Sequence, residues 1–295
     1  MNGKNPELSI GFPVFDGEMF LKKRLESILS QSFTNFELII SNNASTDDTD
    51  KICKEFLKKD SRIKYHHHEK NMGGIKNFNF VLTKATAEFF VWAAVDDRWK
   101  KDFIEKHLIV LKNNPNVVGC TSKVEVYGNS RKSRDVENGL YNKIINCVRK
   151  YFSKYGTHPA FGKYEKKIRI YLKANSAQSL YSVFRTFDLK KSFVNENIVA
   201  FDLATILNVL KYGDIYVINE ILCEYYDGGA SADGVIKHVT KIEGKLSMIL
   251  PYSSFLKWCW KNLGKKKFLQ NLDCFLKIII AGHVARIYQF FLDHK

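Results

Sequence analysis

The sequence is poor in proline and cysteine, and its cysteines are not arranged in pairs. Five of the 295 residues are proline and six are cysteine, and no Cys-x-x-Cys motif occurs. Scattered single cysteines in a chain of this length indicate reduced core residues rather than a disulfide scaffold. Hydrophobic residues make up 45% of the chain and charged residues 26%, and these values exclude disordered, collagen-like and low-complexity classes.

Long hydrophobic runs and a recognisable leader are also absent. Residues 1–7 are polar, and the apolar residues 8–15 are too few for a signal peptide. The longest apolar stretch near the C-terminus, residues 276–285, is interrupted by Lys277 and His283. It falls far short of the roughly 20 residues that span a bilayer. We therefore expect a cytoplasmic protein with at most peripheral membrane contact.

Several common motifs are missing. The chain has no phosphate-binding P-loop and no Gly-x-Gly-x-x-Gly fingerprint, which argues against NTPases and nicotinamide-dependent enzymes. It has no recognised nucleic-acid-binding motif, so we expect no nucleic-acid partner. A nucleotidyltransferase would need a glycine-rich, basic loop near the N-terminus, and residues 11–17 do not form one.

Charge is plentiful but unevenly placed. The formal net charge is +15, from 46 basic and 31 acidic residues. Residues 1–120 hold 18 basic and 16 acidic residues, whereas residues 121–295 hold 28 and 15. Positive charge confined to one part of a chain indicates a local anionic partner. Nucleic acid, anionic lipid and phosphorylated substrates all have that chemistry.

The hydrophobic pattern alternates between strand and helix through the first 120 residues. It predicts strands at 8–12, 36–41, 63–67, 89–94 and 117–121, and helices at 20–30, 47–59, 73–84 and 103–113. The pattern weakens over 123–173 and then predicts a strand at 180–185, a helix at 202–212 and a strand at 214–220. This alternation predicts an α/β fold with a mostly parallel sheet, which binds ligands at the carboxyl ends of its strands.

The most informative segment is residues 89–99, FFVWAAVDDRW, where an apolar strand runs into two adjacent carboxylates. Asp96 and Asp97 would repel each other unless a cation or a sugar hydroxyl shares their site. Mn²⁺ and Mg²⁺ prefer such oxygen ligands and often combine one or two carboxylates with substrate phosphates. A turn in which the acids cap the next helix is the alternative, and this pair by itself leaves both interpretations open.

Several segments together resemble the family-2 glycosyltransferases, which are inverting sugar transferases of the GT-A fold. The resemblance is carried, in order, by residues 8–18 (LSIGFPVFDGE), 31–47 (QSFTNFELIISNNASTD), 71–77 (NMGGIKN) and 89–97. It covers about the first 120 residues, and the later part matches more loosely. It implies a Rossmann-like, mostly parallel central sheet flanked by helices, with a helical basic C-terminal extension, and an enzyme of the bacterial surface-polysaccharide type.

The resemblance also implies which residues bind the nucleotide sugar. These are Pro13, Val14, Phe15, Glu18, Asn42, Asn43, Asn71, Lys76 and Asp96. The position that reads the base is usually acidic in the family, but here it is Asn42–Asn43. An amide still offers a donor and an acceptor to a pyrimidine edge. Lys76 falls in the segment that flanks the diphosphate, where its charge would attract phosphate.

The metal site and the catalytic base follow from the same resemblance. Asp97 would ligate Mn²⁺ or Mg²⁺, and Asp96 would bind the ion or the ribose. The family often has a further acid two residues before this pair, where this chain has Ala94. Asp202, at the start of a predicted helix, matches the carboxylate that takes the acceptor's proton, although an N-cap is its alternative role. An acid that commonly precedes this base is absent, and Glu196 is the nearest upstream alternative.

We expect three parts in the chain. Residues 1–122 would form the nucleotide-sugar-binding half, residues 123–240 the acceptor-binding half with the catalytic base, and residues 241–295 a basic, aromatic, helical tail. Residues 123–173 hold 13 basic and 4 acidic residues, which suits either a diphosphate-linked lipid acceptor or a solvated surface. The tail holds ten basic and three acidic residues, which suits an anionic membrane surface. A helical cap packed on the core is the alternative for the tail.

The sequence therefore predicts a glycosyltransferase that moves a single sugar with inversion. The expected donor is a nucleotide diphosphate sugar, most simply a UDP-sugar. The expected acceptor is a hydroxyl of a glycan or of a polyprenyl-diphosphate-linked glycan, as in O-antigen or capsule assembly, at the inner face of the cell membrane. The Gln-x-x-Arg-Trp segment of processive synthases is absent, which favours single-sugar transfer. The alternative is a non-catalytic basic protein that binds membrane or polyanions on a degenerate transferase fold.

Overall fold

Eight strands form one mixed sheet in the part of the chain that is described. This computed structural model describes residues 5–128, 156–175, 178–226 and 235–293, without the side chains of 235–238, 246 and 288–293. The strands are β1 (Leu8–Val14), β2 (Phe36–Asn42), β3 (Ile63–His67), β4 (Phe89–Trp92), β5 (Arg98–Trp99), β6 (Val117–Tyr127), β7 (Val183–Arg185) and β8 (Asp214–Tyr226). Their order across the sheet is β3-β2-β1-β4-β7-β6-β8-β5.

Helices cover the sheet. They are α1 (Glu18–Leu29), α2 (Thr49–Leu57), α3 (Gly74–Lys84), α4 (Phe103–Asn113), α5 (Tyr164–Ala174), α6 (Thr186–Ser192), α7 (Phe201–Val209), α8 (Val235–Glu243), α9 (Ser253–Leu263), α10 (Lys265–Gln270) and α11 (Leu272–Asp293). Short 3₁₀ turns lie at Gln178–Tyr181 and Gly244–Met248.

The N-terminal part of the sheet is parallel, as the alternating pattern predicts. β1 pairs in parallel with β2 and β4, and β2 pairs in parallel with β3. Successive strand residues point to opposite faces, so Leu38 and Ile40 pack in one buried cluster while Ile39 packs in the other. Both faces are therefore covered, and the carboxyl ends of β1, β2 and β4 meet at one edge of the sheet.

Several elements depart from the predicted pattern, most of them in the second half of the chain. The predicted strand at 180–185 is only Val183–Arg185, because the N–H and hydroxyl of Ser182 both donate to the Ser179 carbonyl, at 3.2 and 2.7 Å, and close a turn. β8 continues beyond residue 220 to Tyr226, since it pairs in parallel with the long β6. The elements that were not predicted include α5, in the basic stretch where the pattern weakened, α6, and the two-residue β5 of the first half.

The C-terminal helices pack on the core of the preceding fold rather than standing apart from it. Phe255 and Trp258 of α9 and Phe275 of α11 lie in the same buried cluster as Tyr171 of α5 and side chains of α7. One side of the predicted tail is thus a helical cap on the core. Within the described residues, no helix has the length and apolar character needed to cross a membrane.

The described cysteines are buried thiols, as the sequence predicts. They are Cys53, Cys120, Cys223, Cys259 and Cys274, all free. Burial raises the pKa of the Cys53 thiol to about 12, and the nearby charge of Asp50 makes a smaller contribution in the same direction. Cys147 and the predicted glycine loop at 228–229 lie outside the described residues.

Candidate active site

The loops after β1, β2 and β4 converge at the carboxyl edge of the sheet. The backbone N–H of Asn43 donates to the Val14 carbonyl at 2.9 Å, which joins the ends of β2 and β1. A Cβ on Gly17 would lie 2.7 Å from Val14 Cγ2 and 3.1 Å from Val95 Cγ2. The loop after β1 therefore approaches the loop after β4 at a position that needs glycine.

The loop from β1 to α1 is tied to the loop from β2 to α2. Asp16, in the left-handed region with φ of 46°, accepts a hydrogen bond from the Thr46 N–H at 2.8 Å. The Glu18 carboxylate accepts one from the Asp48 N–H at 2.8 Å. Glu18 thus has a structural partner in addition to its predicted donor role. Phe15 is exposed on the same loop and offers a free aromatic face.

The two asparagines at the end of β2 have different environments. Asn42 is fully buried; its amide donates to Tyr65 Oη at 2.9 Å and accepts from the Ser45 N–H at 2.9 Å. Asn43 donates to the exposed Asn71 Oδ1 at 3.0 Å and accepts from the Met72 N–H at 2.9 Å. Asn43 therefore fixes the segment that holds Asn71 at the end of β2, while Asn42 fixes its own strand end.

Lys76 lies exposed in the first turn of α3. The preceding Gly73 has φ of 88°, a value that glycine adopts without strain. Unpaired N–H groups at the start of a helix favour a nearby anion. Asn43 and Asn71 are thus joined next to the start of α3, which carries Lys76, and the binding of a diphosphate by this segment stays a prediction.

Asp96 and Asp97 follow β4, and burial raises the pKa of both carboxyl groups. Burial raises the pKa of Asp97 to about 7; the Arg24 guanidinium opposes that rise and the neighbouring Asp96 adds to it. The backbone N–H of Tyr226, at the end of β8, also donates to Asp97. Burial likewise raises the pKa of Asp96, whose carbonyl accepts a hydrogen bond from the Tyr127 hydroxyl. Two carboxylates that are poorly solvated and mutually repelling are stabilised as anions by a bound cation.

Arg24 of α1 lies behind this pair, buried, with only 3% of its surface exposed. Its Nε donates to the Ala94 carbonyl at 2.9 Å, and its guanidinium lies 4.2 Å from the centre of the Trp99 ring. Nη1 and Nη2 have no hydrogen-bond partner among the described residues. Burial lowers the pKa of Arg24, and Asp97 is the first of the charges that oppose this. A buried cation therefore faces the region of the two carboxylates.

Asp202 lies in the first turn of α7, two residues after the N-cap Ala200, whose φ is 57°. Its Oδ1 accepts a hydrogen bond from the Leu203 N–H at 2.7 Å. Burial raises the pKa of Tyr181, and the charges of Asp97, Asp96 and Asp202 raise it further. The hydroxyl of Tyr181, a half-buried side chain, therefore lies within electrostatic range of all three carboxylates. Glu196, the alternative base, is exposed.

Asp96 and Asp97 could hold a divalent cation only together with ligands from outside the described residues. Among the described residues no group of three or more His, Cys, Asp and Glu side chains is placed to hold a metal. Asp96 and Asp97 are hard oxygen ligands, and Mg²⁺-type sites commonly use one or two carboxylates together with phosphate oxygens and water. A cation bound here would therefore need a diphosphate to complete its coordination.

Arg24, Tyr127, Tyr181 and Tyr226 were not predicted as site residues. The sequence could have indicated Arg24, because it is a charged residue within the apolar stripe that Leu21, Leu25 and Ile28 form on α1. A charged residue at a core-facing helical position needs a partner. No sequence pattern indicates the three tyrosines, since they come from β6, a 3₁₀ turn and β8, which only the tertiary fold brings together.

Comparison with known proteins gives matches in sequence and in structure. Residues 9–173 match the family described as Glycosyl transferase family 2. A curated relative named for teichuronic acid biosynthesis, the glycosyltransferase TuaG of Bacillus subtilis (strain 168), is 27% identical over 157 residues, covering 50% of this chain and 62% of that protein. The match thus spans less than two thirds of the relative's length.

Two solved structures show the same architecture. S. aureus TarS 1-349 in complex with UDP-GlcNAc matches with a TM-score of 0.58 and 16% identity, over 92% of this chain and 81% of that chain. The mannosyltransferase PcManGT from Pyrobaculum calidifontis, in complex with GDP-Man and Mn²⁺, matches with a TM-score of 0.56 and 15% identity, over 92% and 69%. At these identities the likeness concerns the fold.

Proposed function

The chain belongs to glycosyl transferase family 2, and from that premise we propose that it transfers one sugar, with inversion, from a nucleotide diphosphate sugar to an acceptor hydroxyl. Its central sheet flanked by helices is the GT-A fold that the sequence predicts, shared with TarS. The observation that carries the proposal is the pair of the half-buried Asp96 and the buried Asp97 at the carboxyl end of β4. Burial raises the pKa of both groups, and a site of this kind is commonly a reaction site.

The proposed donor is a UDP-sugar. TarS structures hold UDP and UDP-GlcNAc, whereas PcManGT holds GDP-Man, so the family's fold accepts more than one base. In this chain the exposed ring of Phe15 would stack on the base, and Asn43 with Asn71 would hold the loop beside it. Lys76 would attract the diphosphate.

The proposed cofactor is Mn²⁺ or Mg²⁺, held by Asp97 with Asp96 and by the donor's phosphates. When bound, the ion supplies positive charge that stabilises the leaving diphosphate. Support comes from the two carboxylates that burial leaves in need of a counter-ion. Arg24 holds the Ala94 carbonyl, at the position where the family often has a further acid.

The proposed base is Asp202. The acceptor oxygen attacks the anomeric carbon while the bond from that carbon to the diphosphate oxygen breaks. The electron pair of the broken bond leaves with the diphosphate. The acceptor's proton passes to the Asp202 carboxylate. Attack from the side opposite the leaving group inverts the configuration. The support for Asp202 is its position in the first turn of α7 and its shared influence, with Asp96 and Asp97, on Tyr181.

The proposed acceptor is a glycan or a polyprenyl-diphosphate-linked glycan in surface-polysaccharide synthesis, at the inner face of the cell membrane. The basic residues of 121–295 support an anionic acceptor. TuaG is named for teichuronic acid biosynthesis, which is consistent with this setting. Much of the basic stretch at 123–173, from 129 to 155, lies outside the described residues.

Two substitutions separate the proposed roles. Asp97→Asn should abolish metal-dependent release of UDP from the donor with the fold intact. Asp202→Asn should reduce transfer at least about a hundredfold while donor binding, measured by calorimetry, stays within about twofold. Asp48→Asn is the matched control, because the Asp48 side chain is exposed and pairs with Lys51 at the surface, while its bond to Glu18 uses the backbone N–H, which the substitution keeps.

Unchanged turnover in Asp97→Asn would contradict the metal assignment, and unchanged transfer in Asp202→Asn would move the base to another residue. If the wild type binds no nucleotide sugar but binds anionic vesicles or polyanions in a salt-sensitive way, the non-catalytic alternative is the better account.

A further inference from the structure

The outward side of α11 is apolar, although helices on protein surfaces usually present polar residues to water. The partly buried His283 also lies on this side, together with four exposed apolar residues that we call the outer stripe: Leu272, Leu276, Ile280 and Ile287. They are 44, 51, 49 and 57% exposed. At 100° per residue they fall within an arc of about 80° on the helix, while Cys274, Phe275 and Ile278 on the other side are buried.

An aromatic and basic corner directly precedes α11 in the chain, on α9 and α10. Trp260, exposed at the end of α9, packs edge-on against Phe268 with ring centres 5.2 Å apart. Phe268 stacks on Phe275 at the start of α11, at 4.4 Å. Lys265 lies 5.9 Å from the Trp260 ring. We define the basic corner as the exposed lysines of α9 and α10: Lys257, Lys261, Lys265 and Lys266.

The acidic groups whose side chains are described in this region already have partners. Asp273, beside the outer stripe, receives two hydrogen bonds from the Arg169 guanidinium, at 3.0 and 2.8 Å. Glu243 accepts from the N–H and hydroxyl of Ser254 at 2.8 and 2.6 Å. Another ion pair here, Lys267 with Glu165, uses a lysine outside the basic corner. The corner's positive charge therefore faces solvent beside exposed apolar side chains.

We propose that the outer stripe and the basic corner dock on an anionic lipid bilayer, with the apolar residues entering the acyl boundary and the lysines contacting headgroup phosphates. Helices with this combination of features lie in the plane of the interface. A second copy of the chain is the other occupant an apolar stripe suggests. A symmetric dimer through this surface would place the basic corners of both copies in or beside one interface, where their like charges would repel, so charge favours the bilayer.

This inference rests on the proposed function for its biological setting, since the acceptor proposed there is membrane-linked. Lipid binding is nevertheless measurable without transfer, and donor binding is measurable without lipid. The two proposals can therefore fail separately.

The test is flotation of the full chain with vesicles of equal parts phosphatidylcholine and phosphatidylglycerol, compared with pure phosphatidylcholine. The stripe variant is Leu276→Gln/Ile280→Gln, and the charge variant is Lys265→Gln/Lys266→Gln. Ile109→Gln is the matched control, because Ile109 on α4 is 52% exposed and lies far from α11 in the sequence. All substituted side chains are exposed, so folding should be retained, and donor-induced thermal shift on each variant checks the active site.

We expect the wild type to bind anionic vesicles at least tenfold more tightly than neutral ones. The stripe variant and the charge variant should each lose about tenfold in affinity, while Ile109→Gln binds like the wild type. Equal binding by the stripe variant, or no binding by the wild type, would overturn the proposal. So would a dimer in light scattering that the stripe variant converts to a monomer with vesicle binding unchanged.

Discussion

Acid should destabilise this protein through His107, a histidine whose ring is fully buried on α4. Its Nδ1 lies 2.6 Å from the Phe103 carbonyl and donates to it, and its Nε2 is buried with no hydrogen-bond partner among the described residues. Burial lowers the pKa of His107 to about 4, because the charged ring would lose its water and leave the new Nε2–H without an acceptor.

The sign and size of the effect follow from linkage. The pKa is about 6.5 in an unfolded chain and about 4 in the folded one, so between these values the unfolded state binds more protons. The contribution of His107 to the free energy of unfolding is therefore complete above pH 6.5 and is lost as the pH falls toward 4. Between pH 7.5 and pH 4.5 the loss is about 2.5 kcal/mol, of which about 0.8 kcal/mol appears by pH 6.

His107→Phe keeps a ring against Phe103, whose centre lies 4.2 Å away, and removes the titration. Urea unfolding followed by tryptophan fluorescence, from pH 7.5 to pH 4.5, gives the difference in unfolding free energy between wild type and variant. The difference cancels other titrating groups, including Asp97, whose raised pKa acts in the opposite direction over the same range. We expect the variant to gain about 2.5 kcal/mol on the wild type across this range. Parallel pH curves for the two proteins would refute the reasoning.

Two further substitutions probe the site and the sheet. Asn43→Ala removes the bonds to Asn71 and to the Met72 N–H, so the KM for the donor should rise about fivefold or more with kcat nearly unchanged; a fall in kcat at constant KM would contradict this. Gly213→Ala would place a Cβ 2.5 Å from the Asn116 carbonyl oxygen, and we expect it to lower stability by about 2 kcal/mol in thermal unfolding. Gly74→Ala, where a Cβ meets nothing within 4 Å, is the control, and an equal loss in both variants would show that the contact is not the cause.

The parallel half of the fold was predictable because its strands are short apolar runs with helices between them. The strand predicted at 36–41 is observed as Phe36–Asn42, and the helix predicted at 103–113 is Phe103–Asn113. The helix α5 escaped prediction because its buried Ile168, Tyr171 and Leu172 are interspersed with lysine and arginine. Among these basic residues is Lys167, itself buried, whose amine donates to the Gly213 carbonyl at 2.6 Å.

The candidate site was predictable where it follows the chain and unpredictable where it depends on packing. Asp96 and Asp97 end an apolar strand, so their place at the sheet edge follows from the sequence. Burial raises the pKa of Asp97, and Arg24 opposes the rise. Both effects depend on how α1 packs against the loop after β4, which the sequence does not reveal. The tail was predicted with two alternatives, and α11 buries one side of its surface in the core while exposing the other.

The central claim is that this chain binds a nucleotide diphosphate sugar through a metal ion at Asp97. The measurement that tests it most directly is thermal unfolding with a panel of UDP- and GDP-sugars, with Mn²⁺ or with EDTA, on the wild type and Asp97→Asn. At a hundred times the dissociation constant, a ligand stabilises the native state by about 2.7 kcal/mol, which for a chain of this size raises Tm by about 5 °C. The account predicts that shift for one donor, with Mn²⁺ and in the wild type only. No shift from any donor, or an equal shift in EDTA and in Asp97→Asn, would contradict it.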